Sequence, residues 1–240
     1  MLQTGLGSVL LNFLRATFLA TALVLAAETP ALGGPFEDAV AAYESGDHAT
    51  ALALFRPLAD QGNAAAQLNL GVMYDHGQGG VSEDDAEAAK WYRVAAEQGD
   101  AEAQFNLGVM YATGEGVPQN DAEAAAWLRL AADQGDAGAQ FNLGVMYAAG
   151  QGVPENYAEA MSLYRLAAEQ GNSDAQLNLG VMYATGEGVP EDLAQAYVWW
   201  SLAAAQGNSA GQRNLDILTR VMTPDQLAEA ERLAEERTPN

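Results

Sequence analysis

The sequence predicts an all-α solenoid built from repeated helix hairpins. Two observations carry that prediction. The nine residues 103–111, AQFNLGVMY, recur as AQLNLGVMY at 66–74, AQFNLGVMY at 139–147 and AQLNLGVMY at 175–183, with a worn copy, GQRNLDIL, at 211–218. The glycines of the phrase, Gly71, Gly108, Gly144 and Gly180, step by 37, 36 and 36 residues. Units of that period bury their apolar faces only by stacking on their neighbours. Between the phrases, apolar residues return at helical spacing, and Gly and Pro break the pattern at fixed offsets.

Residues 1–33 precede the pattern and read as a signal peptide. Arg15 is the only charged side chain before Glu28, and residues 16–27 (ATFLATALVLAA) form a short apolar run with small residues behind it. Cleavage fits near 26 or 33. The alternative is an uncleaved anchor from about Leu6, which sets Asn12 and Arg15 near the middle of a span, a costly place in lipid. A periplasmic or secreted address is the expectation, an N-terminally membrane-anchored one the alternative.

Residues 36–63 form a compact hairpin. Ala39, Val40 and Tyr43 stripe its first helix, Ser45-Gly46-Asp47 turns the chain, and Ala51, Leu52, Phe55, Leu58 and Ala59 stripe the second. Pro57 lies inside that second helix, where it removes a donor and favours a bend. Four longer units follow, 64–100, 101–136, 137–172 and 173–208. In the second, Asp100 caps a helix, Gly114-Glu115-Gly116-Val117-Pro118 breaks it, Asn120 or Asp121 caps the next, and Gln134-Gly135-Asp136 closes the unit. At about 100° per residue, Gln104, Leu107, Gly108 and Tyr111 share the stripe that faces the second helix, while Ala103 and Met110 face the adjacent unit. Gly108 lacks a side chain because the partner backbone comes close there. Residues 209–240 hold a degenerate helix and a capping helix that starts at Thr223-Pro224-Asp225.

Formal charge is −22, from 32 acidic and 10 basic residues. That balance repels nucleic acid and anionic lipid. It keeps the chain soluble and also suits a basic partner. With no cysteine, a disulfide framework, a thiolate nucleophile and a lipid on an N-terminal cysteine are all excluded.

The run A-Q-x-N-L-G-V-M-Y, then G-x-G-V-P, then E-A-x-x-W-Y-x-x-A-A-x-Q-G, resembles the Sel1-like repeat, a relative of the tetratricopeptide repeat with a longer loop. Residues 90–99 (KWYRVAAEQG) and 127–135 (WLRLAADQG) carry it closely; Leu163 replaces the tryptophan, and Trp199-Trp200-Ser201-Leu202 loses the arginine. The opening hairpin is closer to a plain tetratricopeptide unit. The resemblance covers about 36–237. It implies a right-handed α/α superhelix with a concave surface, adaptor or scaffold work through protein–protein contacts, and, in bacterial members, export and envelope functions.

The sequence carries no catalytic constellation. His48 and His76 stand in different units and suit surface or packing roles. No His-x-x-x-His pair, Gly-x-Ser-x-Gly elbow or phosphate loop occurs, and Glu83-Asp84-Asp85 lacks the ligand spacing of a calcium loop. The chain is expected to be no enzyme, to hold no cofactor or metal, and to act as a monomer.

One row fits binding. Asn69, Asn106, Asn142, Asn178 and Asn214 hold the same place in every first helix, turned away from the partner helix and toward the concave groove. Each amide offers a donor and an acceptor to an extended segment, with Glu102, Val109 and Thr113 beside them. The other reading is that each asparagine bonds to a neighbouring helix and tightens stacking. Of the tandem Trp199 and Trp200, one is expected to be exposed. The function expected is an exported protein- or peptide-binding adaptor; the alternative is an envelope glycan- or peptidoglycan-binding protein using the exposed aromatic and the asparagine row.

Overall fold

The computed structural model describes residues 33–237, so the signal-peptide expectation lies outside the described residues. Among them twelve helices and no strand occur. They are α1 Pro35–Glu44, α2 His48–Asp60, α3 Ala64–Asp75, α4 Asp85–Glu97, α5 Ala101–Thr113, α6 Asp121–Asp133, α7 Ala137–Ala149, α8 Tyr157–Glu169, α9 Ser173–Thr185, α10 Leu193–Ala205, α11 Ser209–Val221 and α12 Pro224–Arg237. The chain divides into two compact units, one ending at Ala131 and one beginning at Ala132.

The helix ends follow the capping residues. Asn63, Asp100, Asp136, Asn172 and Asn208 each accept a bond from a first-turn N–H of a first helix. Asp84, Asn156 and Asp192 do the same for second helices, and Asn120 caps α6 through the N–H groups of Ala122 and Glu123. The long loops close alike: the N–H groups of Asp84, Asn120, Asn156 and Asp192 return to the carbonyls of Tyr74, Tyr111, Tyr147 and Tyr183. Helix α2 runs through Pro57 without interruption.

Each unit has its own core. In the first, Ala39, Phe55, Leu70 and Met73 join α1, α2 and α3, and Tyr92, Leu107 and Met110 join α4 to α5. In the second, Tyr164, Leu179, Met182 and Trp199 pack together, followed by Ala196, Trp200 and Leu218.

Four buried glutamines cross-link this stack. The side-chain amides of Gln67, Gln104, Gln140 and Gln176 donate to the carbonyls of Ala59, Ala96, Ala132 and Ala168 at 3.0, 3.0, 3.2 and 3.1 Å. Each acceptor lies in the last turn of the preceding repeat's second helix, where carbonyls have no intrahelical partner. Three of the glutamine oxygens are also engaged. Gln98 donates to Gln67 Oε1 at 2.6 Å, Gln170 to Gln140 Oε1 at 2.8 Å and Gln206 to Gln176 Oε1 at 2.7 Å. The helical angle count turns these residues toward their own second helix; they also reach back to the repeat before.

The phrase glycines are notches. A Cβ on Gly71 or Gly180 would lie 2.5 Å from the ring of Tyr92 or Trp200, and one on Gly144 2.8 Å from the Tyr164 ring. At these three positions a ring fills the space expected for backbone. At Gly108 the approach is by Leu128, its Cγ 2.8 Å and its backbone nitrogen 3.2 Å from the Cβ position. The loop glycines do a second job. Gly116 (φ 67°) lies against Asp85, the first residue of α4, with its Cβ position 2.2 Å from that carbonyl. Gly188 (φ 74°) lies likewise against Tyr157, the first residue of α8. Each such loop therefore rests on the repeat before it, in a left-handed conformation that a side chain disfavours.

The C-terminus departs from the pattern. Thr223 and Gln226 exchange bonds, the Thr223 Oγ1 accepting from Gln226 N and the Gln226 side chain accepting from Thr223 N, a reciprocal cap of α12. Helix α12 then packs along α10 and buries Ala230. The expectation of one exposed tryptophan is corrected here: Trp199 is 2% exposed and Trp200 4%. Trp200 fills the notch at Gly180 and donates to Leu177 O at 3.0 Å. Trp199 lies beneath the Arg237 guanidinium, which stacks 3.9 Å from its ring centroid and approaches Glu169 at 3.6 Å. The uncharged sequence of α10, LAQAYVWWSLAAA, suits this covered position. Ser201 stands where Arg93 and Arg165 stand in other second helices, and Ala205 where Glu97 and Glu169 stand.

Two substitutions test this packing. Gly180→Ala is expected to destabilise the fold by about 1–3 kcal/mol through overpacking, read as a lower urea midpoint with an unchanged slope. Gln176→Leu removes the bonds to Ala168 O, which keeps only the one from Gly171 N at 3.0 Å, and from the Gln206 amide, and is expected to cost about 1–2 kcal/mol in the same titration.

Candidate interaction surface

The asparagine row occupies one register of the first helices, but its members differ in surroundings. Asn69 is partly exposed and donates to Ala65 O of its own helix at 2.7 Å. Asn106 is buried, at 7% exposure. Asn142, Asn178 and Asn214 are partly exposed. The Asn178 amide bonds to the Tyr164 phenol of the preceding repeat, a link of the stacking kind. Of the flanking residues, Val109 is buried and Glu102 partly exposed, while Thr113 donates to Val109 O at 3.1 Å. The side chains that reach solvent along this register are thus Asn69, Asn142, Asn178, Asn214, Glu102 and Thr113.

A second recurrent link lies between consecutive repeats. Arg56 donates to the Tyr74 hydroxyl and Arg93 to the Tyr111 hydroxyl, with the guanidinium carbons 5.8 and 5.5 Å from the ring centroids. Arg165 donates to Tyr183 Oη at 3.1 Å. The helical pattern places Tyr111 on the stripe that packs against the second helix and gives no sign of this bond. The signal that finds the link is the constant separation of 18 residues between arginine and tyrosine.

Electrostatics follow burial. Desolvation pushes the Asp75 carboxyl up; His76 opposes this, and Asp85, Glu115 and Glu83 push further up. Burial also raises Asp174, against a bond donated by Asn208 at 2.9 Å. The phenols of Tyr92 and Tyr164 are raised mainly by burial, Tyr92 also by the carboxylates of Asp75 and Glu102. His48 stacks edge-on against Tyr43, centroids 4.9 Å apart, and the His76 ring bonds Val72 O at 3.0 Å near the end of α3. Among the described residues no group of three or more His, Cys, Asp or Glu side chains is placed to hold a metal ion. No helix among them is long and apolar enough to cross a membrane.

The sequence profile of the Sel1 repeat matches five segments, 41–63, 64–100, 101–136, 137–172 and 173–208. The chain belongs to the Sel1 repeat family. Two solved structures share the Sel1 repeat architecture closely. A protective antigen present in uropathogenic Escherichia coli strains, with an SLR fold, is 36% identical at a TM-score of 0.76, over 84% of this chain and 44% of the antigen. The chain thus spans less than half the length of that protein. A Sel1 repeat protein from Oxalobacter formigenes is 32% identical at 0.75, over 85% of this chain and 83% of its own. No curated protein matches. Sel1 repeat proteins generally act as protein-interaction scaffolds, and their fold is typically non-catalytic.

Asp75 yields a pH prediction. Its carboxyl titrates higher in the folded chain than the ordinary 3.8, so the folded state gains stability as pH falls through the folded value toward 3.8. Asp75→Asn removes the partly buried charge at the C-terminal end of α3, where a carboxylate also opposes the helix dipole. The variant is expected to melt above the parent at neutral pH, and the advantage to close as pH drops toward 3.8.

Proposed function

We propose that this Sel1 repeat protein is an exported, monomeric, non-catalytic adaptor that holds a protein or peptide along the first-helix faces of its repeats. The observation that carries this reading is the recurrence of partly exposed amides at one register, Asn142, Asn178 and Asn214 in the second unit and Asn69 in the first. An asparagine amide pairs with backbone groups of any sequence, so a row of them reads an extended chain by its peptide bonds. Glu102 and Thr113 add local selectivity. Asn106 and Val109, being buried, shape the wall and leave contact to their neighbours. The charge of −22 favours a basic segment as partner.

Export rests on the apolar run at 16–27 with Arg15 before it. A periplasmic or secreted address follows, and membrane contact would come only from an uncleaved N-terminal segment. The burial of both Trp199 and Trp200 favours protein over glycan, because it takes away the aromatic platform a sugar ring would use.

The double variant Asn142→Ala, Asn178→Ala tests the reading. With the partner recovered by crosslinking from the periplasmic or secreted fraction, the adaptor reading expects binding to fall by tenfold or more, about 1.4 kcal/mol, beyond the modest drop in melting temperature that loss of the Asn178–Tyr164 bond brings. A clear drop in melting temperature with binding intact assigns the row to stacking and defeats the proposal.

A further inference from the structure

Within each compact unit, one face of the first helices α3, α7 and α9 receives the repeat that follows. Leu68 and Val72 of α3 pack into the cluster of Leu107 and Met110 of α5. Phe141, Val145 and Ala148 of α7 pack against the cluster of Leu179 and Met182 of α9. Leu177, Val181 and Ala184 of α9 pack against the cluster holding Leu218 of α11. The same register on α11, one period of 36 later, is Arg213, Ile217 and Arg220.

Nothing among the described residues covers this last face. Ile217 is 51% exposed and Val221, one turn on, 69%. Helix α12 turns back along α10 instead of forward, so the terminal cap protects the second helix of the last full repeat and leaves the stacking face of α11 open. A face meant only for water would be polar throughout. This one keeps Ile217 between two exposed arginines, Arg213 and Arg220, with the β-branched Val221 at the end of the helix. In a chain of net charge −22, that is a local reversal of sign. The nearby Asp216 carboxylate accepts from Gln212 at 2.8 Å, and Arg213 donates to Ser209 Oγ at 3.3 Å within its own helix.

We infer that the open face of α11 docks an amphipathic helix from a protein partner, a helix with apolar residues at i, i+4 and i+7 and carboxylates beside them. The occupant's shape is set by what fills this register elsewhere in the chain, a helix with Ala175, Leu179 and Met182, or Ala103, Leu107 and Met110, at that spacing. Its charge is set by Arg213 and Arg220, which replace the Leu or Phe of the other repeats and the Ala112, Ala148 or Ala184 of three of them. The site adjoins Asn214 on α11 and is separate from Asn142 and Asn178; it goes beyond the adaptor reading above.

The probe is a pair of synthetic, end-blocked, fluorescein-labelled helical peptides of about five turns. Both carry Ala, Leu and Met at i, i+4 and i+7; one has Glu and the other Lys at the flanking positions. Anisotropy with the full-length protein is expected to show the Glu peptide binding about tenfold or more tightly than the Lys peptide, and weakening with salt. Ile217→Asp combined with Val221→Asp is expected to abolish binding. Arg213→Glu with Arg220→Glu is expected to reverse the preference between the peptides. These positions are exposed, and unchanged circular dichroism and melting show that the variants remain folded. Asn142→Ala, Asn178→Ala is expected to leave peptide binding intact, which separates this site from the asparagines of the two preceding repeats. Equal binding of the two peptides, or binding that survives Ile217→Asp with Val221→Asp, overturns the proposal. Concentration-dependent self-association of the full-length protein that vanishes in that variant assigns the face to a second copy, and overturns it equally.

Discussion

A buried primary amide with both ends engaged is the constraint on which the rest of this structure depends. Gln140 donates to Ala132 O and accepts from Gln170, and Gln176 repeats the arrangement with Ala168 and Gln206. The donor end ties one repeat to the last turn of the repeat before it. The acceptor end fixes the C-terminus of its own second helix. Out of water, a bond left unmade on either end is costly, whereas one that is made contributes only modestly. The pairing therefore acts chiefly on geometry: few helix offsets satisfy all three groups at once.

Other features follow from that fixed offset. The first and second helices must approach closely, so a glycine stands opposite Tyr92, Tyr164 or Trp200. The long loop has to cross above the preceding repeat, so Gly116 and Gly188 adopt φ values of 67° and 74° against Asp85 and Tyr157. Arginine and tyrosine then meet between consecutive repeats at a constant separation. Where the next repeat ends, these demands lapse. Asp216 stands at the glycine position and Ser201 at the arginine position, and α10 becomes free to accept α12.

Much of this was legible in the sequence. Period, helix order and caps come from local rules, because Gly, Pro, Asn and Asp act on their own backbone. The Sel1 resemblance was carried by several motif positions that recur together. The double bonding of Gln67 or Gln140 was not legible, since the angle count places a side chain on a face and says nothing of how far an amide reaches along the stack. The tandem Trp199-Trp200 misled for a related reason: adjacent residues point apart, and the expectation of exposure ignored a later helix able to cover the second direction. The uncharged run of α10 was the overlooked sign. For the asparagine row, equal spacing hid unequal surroundings, from the buried Asn106 to the Tyr164-bonded Asn178.

The glutamine linkage also bears on how such a chain changes length. Donor and acceptor recur at one interval, so a block copied or lost between two Gln-Gly-Asp or Gln-Gly-Asn turns brings each amide to an equivalent counterpart. Unequal recombination between the near-identical phrases would then yield longer or shorter descendants whose new junctions are bonded from the outset. Reach becomes a variable that inheritance can adjust in whole steps, while the local chemistry of each step stays the same.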